Sequence, residues 1–395
     1  MSKDYLENEI KKDEELPENQ MKAGAYSEFA FNVGEKGSIM PTSALTSPYI
    51  GGTTELLFGD NFDGNITISS NTTLTRDMYY DTLIVAAGIT LNTGGYRIFA
   101  KKIENYGIIS RDGNAGSDGV AAADSSGQTS ANGGNGGSGG SSLANSNLAG
   151  ALAGQTGSGG LAGSALNVGS NGTPASSGSG VNQTNCLGSN GVAGLIGGNG
   201  GANGGQASGV AGGTAGTATT SITKPKSYYF AILMKEIGET TLALLQSSAS
   251  SGGSGGGGNA GQGTCGNSCP GGSGGGGGGS GSVGGLSLII AKEIINYLGA
   301  RISANGGNGG AGGNGGSGAG TNYCGGGGGS GGSGGGGGVV VLLYSKITNK
   351  ATIQAIGGVG GNGGAAGGNN GCTNPSVAGS TGNNGNDGVV FQLQA

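Results

Sequence analysis

The chain has 395 residues, of which 101 are glycine, seven proline, five cysteine and none histidine or tryptophan; charged residues make up 10% and the formal net charge is −5. Glycine at about a quarter of the residues, against a usual ~7%, with so little proline excludes the Gly-X-Y collagen pattern. The lack of histidine removes the commonest general base and zinc ligand, and the net negative charge gives no basic footprint for nucleic acid or an anionic membrane.

Residues 1–22 hold four basic and seven acidic side chains and read as a charged N-terminal arm, either a short solvated helix or disordered. No apolar h-region with a small-residue cleavage site occurs there, so no secretory signal is expected. Residues 23–59, with three aromatics in their first nine positions, are expected to attach the chain to something or to cap the end of a core. Nowhere do about 18 apolar residues run together, so no transmembrane helix or membrane insertion is predicted.

From residue 60 to 113 the pattern changes. Ile66, Ile68, Leu74, Leu83, Val85, Ile89, Leu91 and Ile98 fall in short β-branched runs punctuated by Asn and Gly, which predicts short strands stacked as rungs of a β-solenoid. The pattern then returns. Ala100, Lys101, Ile103, Asn105 and Tyr106 align with Ala291, Lys292, Ile294, Asn296 and Tyr297, and Val339–Gly357 matches again at Lys346, Ile347 and Asn349. Tyr228–Ala249 is a looser copy, and Val389–Ala395 resembles the first half of another. Each unit reads as a strand, a turn, a shorter strand and a glycine-rich excursion; residues 114–395 are built from them.

The excursions, roughly 114–222, 248–285, 307–338 and 358–388, are often triplet repeats such as NGGNGGSGG at 132–140. They are either flexible linkers or polyglycine-II helices of three residues per turn, packed side by side so that neighbours satisfy each other's backbone groups. The repeat favours the second. Cys269, Cys324 and Cys372 precede the expected strand starts Leu286, Val339 and Val389 by 17, 15 and 17 residues, a spacing that linkers have no reason to hold. The fold class predicted is therefore all-β, a β-solenoid-like strand core with an interleaved polyglycine type II helix bundle. Cys265, Cys269, Cys324 and Cys372 are candidates for disulfides between stacked excursions; Cys186 also lies in a glycine-rich tract.

No nucleophile–base pair, metal-ligand spacing or cofactor motif emerges, and GxGxxG matches in such tracts lack the strand–loop–helix context that would give them meaning. No enzyme and no cofactor are expected. Binding is the more credible occupation, through residues that interrupt glycine at excursion tips: Thr264, Asn267, Asn322, Tyr323, Thr373 and Asn374, with Thr184 and Cys186 in the longest excursion. Tyr323 is the aromatic there that could stack on a sugar or enter a pocket.

A β-helical segment followed by glycine-rich motifs resembles the distal long-tail-fibre adhesins of T-even-type bacteriophages, and residues 66–110 resemble segments of virion and tail-fibre-like proteins. That resemblance implies a polyglycine-II sandwich whose tip loops recognise host receptors. It implies a virion location, docking on other virion proteins through the N-terminal region, and a host receptor or glycan as partner, with homo-oligomerisation compatible. A scaffold or decoration protein without a receptor, and an ice-binding polyglycine-II protein, are the rival expectations.

Overall fold

The computed structural model describes residues 58–163 and 271–394, except 127–128, 130, 145, 149, 320–322 and 371–374. The described residues from Gly59 on belong to one compact unit. The described residues contain strands and no α-helix. The expected units at Tyr228–Ala249, the charged arm and the attachment segment lie outside the described residues.

Eleven strands are present: β1 (Gly64–Ile68), β2 (Thr72–Thr73), β3 (Met78–Val85), β4 (Thr90–Asn92), β5 (Ile98–Asn105), β6 (Ile108–Ser110), β7 (Leu286–Asn296), β8 (Arg301–Ser303), β9 (Val339–Asn349), β10 (Thr352–Gln354) and β11 (Val389–Gln394). They alternate between two parallel sheets. The odd-numbered strands form one in the order β1-β3-β5-β7-β9-β11, and the short even-numbered strands form the other, β2-β4-β6-β8-β10. Each long–short pair is thus a layer laid on the previous one, and the chain always returns to the same edge of both sheets. The repeat alignment is the observed register, with Ala100 opposite Ala291, Ile103 opposite Ile294 and Asn105 opposite Asn296. Strands begin at Leu286, Val339 and Val389, where they were expected.

Parallel pairing in fixed register stacks identical residue types, and this makes the core. Leu83, Ile103, Ile294 and Ile347 form one column across the long strands, and Leu91, Ile109, Ile302 and Ile353 face them from the short strands. A turn separates the two strands of each layer, and Gly88 and Gly299, at φ +76° and +87°, take the left-handed conformation there that a side chain would disfavour.

At the end of the long strands the column turns polar. Asn105, fully buried, donates from Nδ2 to Asn296 Oδ1 at 2.8 Å, and Asn296 Nδ2 donates to Asn349 Oδ1 at 2.9 Å. The first and last amides also brace their own turns, Asn105 Oδ1 accepting from Gly107 N and Asn349 Oδ1 from Ala351 N. A ladder buried at two of its members, Asn105 and Asn296, adds little net stability while complete and costs much when one of them is removed.

The glycine-rich residues between strands form straight segments that run away from the sheets and back, here called legs. Three outgoing legs follow short strands (111–125, 304–317 and 355–369), and three incoming legs lead into long strands (271–285, 324–338 and 375–388). A further pair, 131–141 and 151–163, lies beside the first of these. Hydrogen bonds recur at every third residue. Gly306, Gly309, Gly312 and Gly315 donate to Ile356, Val359, Asn362 and Ala365 of the next outgoing leg, while Gly307, Gly310, Gly313 and Gly316 donate to Ser282, Gly279, Gly276 and Ser273 of the antiparallel incoming leg. The leg 271–285 bonds five others in this way and is buried along its whole length.

Such spacing requires glycine. A Cβ on Gly278 would lie 2.0 Å from the Gly310 carbonyl oxygen, and one on Gly276 would lie 1.9 Å from that of Asn135. By contrast the nearest atom to a Cβ on Gly159 is 3.6 Å away. Gly278→Ala is expected to push two legs apart and destabilise the protein by about 3 kcal/mol or more. Gly159→Ala should change stability by less than about 1 kcal/mol. Thermal unfolding followed by circular dichroism distinguishes the two. In the same assay Asn296→Ala should cost about 2 kcal/mol, because it removes the buried partner of Asn105 Nδ2 together with the Asn296 donor to Asn349 Oδ1.

Candidate recognition surface

The third residue of each triplet, the one that is often not glycine, has its own task. Its side chain stands on the edge of the leg and reaches the N–H of the matching position one leg further on. Asp112 Oδ1 accepts from Asn305 N at 2.6 Å, Asp118 Oδ1 from Ala311 N at 2.7 Å and Asp124 Oδ1 from Ser317 N at 2.6 Å. One leg later, Asn305, Asn308, Asn314 and Ser317 do the same for Ile356, Val359, Ala365 and Gly368. Where the reaching residue is Asp, Asn or Ser, the third N–H of the next outgoing leg is thus met by a side chain, while in leg 304–317 the two glycines of each triplet bond backbone to backbone. Asp118 and Asp124, which stand out in the sequence as the charged residues of the longest excursion, are thus ties between legs. A period of three in polar residues was the signal that could have revealed them.

Inside the bundle, buried serines do related work. Ser282 Oγ accepts from Asn114 N at 2.7 Å, Ser280 Oγ accepts from Gln155 N at 2.6 Å, and Ser273 Oγ donates to the Ala123 carbonyl at 2.7 Å. The small hydroxyl fits where a longer side chain would separate the legs.

The legs have a near end, fused to the strands, and a far end. At the near end the loop between legs 131–141 and 151–163 folds onto the turn before β5, with Leu148 N donating to the Gly95 carbonyl at 2.8 Å and Ser146 Oγ to the same oxygen at 2.6 Å. Arg111 reaches this loop through Nη2, 2.8 Å from the Ala144 carbonyl. It is buried, and burial lowers its pKa.

The far end gathers the other turns. Ser126 and Thr129 exchange backbone hydrogen bonds across one of them, and Tyr323 and Asn370 exchange theirs, at 2.8 and 2.9 Å, between two neighbouring turns. Ser125 Oγ donates to the Gly271 carbonyl at 2.9 Å, and Gly272 N donates to the Cys324 carbonyl at 2.9 Å. Asn369 and Ser376 lock the last turn: Asn369 Oδ1 accepts from Gly325 N at 2.8 Å, its Nδ2 donates to Ser376 Oγ at 3.0 Å, and Ser376 Oγ donates to the Gly367 carbonyl at 2.9 Å. Neither residue stood out in the sequence, where each is one polar residue among many.

Of the residues expected at excursion tips, Tyr323 is described, and it sits at this far end, half-buried. Thr264, Asn267, Asn322, Thr373 and Asn374 lie outside the described residues, as do Thr184 and Cys186. Cys324 is buried and disulfide-bonded; Cys265, Cys269 and Cys372 lie outside the described residues. Gly271, Tyr323, Asn370 and Ser376 all belong to the far-end layer.

The described part of this layer is polar and almost uncharged, with Asp124 as its carboxylate. Among the described residues no group of three His, Cys, Asp or Glu side chains could hold a metal ion, and no helix is long and apolar enough to cross a membrane. Two other surface features lie on the strand core. Tyr106 and Tyr297 stack at a centroid distance of 4.1 Å beside the exposed Leu298, and the Tyr297 phenol helps push that of Tyr106 up to about 12. A shallow cavity of about 280 Å³ opens among Ile66, Ile68, Leu74, Met78 and Tyr80 at the first layer. No family model, no curated protein and no solved structure matches this chain.

Peptide mapping without reduction is expected to find Cys324 in a disulfide, and Cys324→Ser should lower stability by about 2 kcal/mol or more. A free Cys324 thiol in the native protein would contradict that assignment.

Proposed function

We propose that the chain is a β-solenoid carrying a polyglycine-II bundle, and that it works as a virion fibre or spike protein whose bundle presents a receptor-binding surface. The support for polyglycine II is the three-residue hydrogen-bond period, the absence of bonds within a leg and the backbone-to-backbone approach of neighbours. At about 3.1 Å per residue, a 15-residue leg carries its far end roughly 45 Å from the strands.

The observation that carries the functional reading is the sorting of turns. The described turns between paired outgoing and incoming legs, with Gly163 and Gly271, converge on the far end, while the strands hold the other. A rigid stalk that displays irregular, uncharged, hydrogen-bonding loops at one end suits recognition of a neutral surface such as a glycan or an outer-membrane protein loop. The same layout is the one that the resemblance to phage adhesins implies. The N-terminal region would then dock on other particle proteins.

The test is binding of purified protein to whole host cells. Tyr323→Ala and Asn322→Ala should reduce binding at least tenfold with no change in melting temperature. An Asp118→Asn control, on the side of a leg, should bind as well as the natural chain. Binding that survives every change at positions 264, 267, 322, 323, 373 and 374, or that never occurs, would favour a scaffold without a receptor. Thermal hysteresis in the purified protein would favour ice binding instead.

A further inference from the structure

Seven Asn-Gly steps have both residues in the described legs, at Asn132, Asn135, Asn305, Asn308, Asn314, Asn362 and Asn384. This dipeptide is chemically fragile, because glycine puts no side chain in the way when its nitrogen attacks the preceding amide. The glycine nitrogen gives its proton to hydroxide and bonds to the Asn Cγ. A cyclic imide closes, and the side-chain nitrogen leaves as ammonia, taking its proton from water. Water then opens the imide at either carbonyl and leaves aspartate or isoaspartate. Overall, water is consumed and ammonia is released.

Two groups must be free for that attack: the glycine N–H, and the side-chain amide that swings towards it. In four of the steps both are held. Asn305, Asn308 and Asn314 accept through Oδ1 from Ile356 N, Val359 N and Ala365 N. The glycines that follow them, Gly306, Gly309 and Gly315, donate to the carbonyls of the same three residues. Asn384 Oδ1 accepts from Gly360 N at 3.0 Å, and Gly385 N donates to the Gly358 carbonyl at 2.8 Å. Attack at any of these requires two legs to part.

In the other three steps neither group is held. Asn132, Asn135 and Asn362 are exposed, and neither their side chains nor the N–H groups of Gly133, Gly136 and Gly363 make a hydrogen bond among the described residues. Local sequence does not separate the two sets, since every step but that at Asn384 reads Asn-Gly-Gly. The leg of Asn362 shows what does. Gly357 and Gly360 donate to the side chains of Asp387 and Asn384 at 2.9 and 3.0 Å. The next position in that series pairs Gly363 with Thr381, whose shorter side chain makes no such bond.

We propose that Asn132, Asn135 and Asn362 are the sites at which the described legs deamidate, and that the bundle shields Asn305, Asn308, Asn314 and Asn384. Isoaspartate at position 362 would add a methylene to the backbone ahead of Gly364 and Gly367, which bond the Gly329 and Gly326 carbonyls. The rest of that leg would then lose its three-residue register.

The test is storage of the folded full-length chain in mildly alkaline buffer, with the amide-to-acid mass gain at each Asn followed by peptide mapping. Asn132, Asn135 and Asn362 should convert about tenfold faster than the other four, because a held step reacts only through local opening of the bundle. In the chain unfolded by denaturant, all seven should convert at similar rates. Thr381→Asp, which offers Gly363 N an acceptor like that of Asp387, should slow conversion at Asn362 severalfold and leave Asn132 and Asn135 unchanged. Equal rates at all seven in the folded chain, a difference that survives unfolding, or an Asn362 rate indifferent to Thr381→Asp would overturn the proposal.

Discussion

A glycine N–H pointing at a carbonyl of the adjacent leg, with no Cβ between the backbones, is the contact on which the bundle depends. One such bond contributes about 1 kcal/mol net, while ordering a residue's backbone costs about 1–2 kcal/mol and glycine loses the most. An isolated leg would not hold together on those terms. The bonds compensate only where most donors and acceptors are used at once, as in leg 271–285, which bonds legs 111–125, 131–141, 151–163, 304–317 and 324–338. The tolerance is correspondingly small. A Cβ on Gly272, Gly275, Gly276, Gly278, Gly279 or Gly281 would meet a carbonyl oxygen at about 2 Å, so the neighbourhood must shift to admit it.

The strand core supplies what the legs cannot, a fixed height for each layer. Ile103, Ile294 and Ile347 define successive levels on one side, and Ile109, Ile302 and Ile353 do so on the other. Since β7 and β9 continue without a break from legs 271–285 and 324–338, with Val339 N bonding the Gly285 carbonyl, the register of the sheet becomes that of the bundle. Burial of apolar columns and the asparagine ladder position the strands, and the position of the strands sets which glycine meets which carbonyl.

How much of this could be read in the sequence follows from the kind of signal each part leaves. The strands and their register were legible, because parallel stacking repeats the same residues at matched positions: Ala100 with Ala291, Asn105 with Asn296, and starts at Leu286, Val339 and Val389. The ties between legs were not. Asp118 and Asn314 are single polar residues in low-complexity sequence, and their partners, Ala311 and Ala365, lie in other legs and contribute only a backbone N–H. The bonds of Asn384 and Asp387 to Gly360 and Gly357 were hidden for the same reason, since their partners again contribute only a backbone N–H. Tyr323 was legible as a tip residue because it interrupts glycine midway between two strand pairs. Asn369 and Ser376, which hold the neighbouring turn, offered no such contrast.

The central claim is that the glycines of the described legs serve order rather than flexibility. Hydrogen exchange of the native protein, resolved to the peptides spanning 271–285 and 324–338, tests it most directly. The account predicts that these amides exchange as slowly as those of β7 and β9, the protection rising and falling together with the strand core as denaturant is added. Exchange of those glycine amides at the rate of an unstructured peptide, while the strands remain protected, would contradict it.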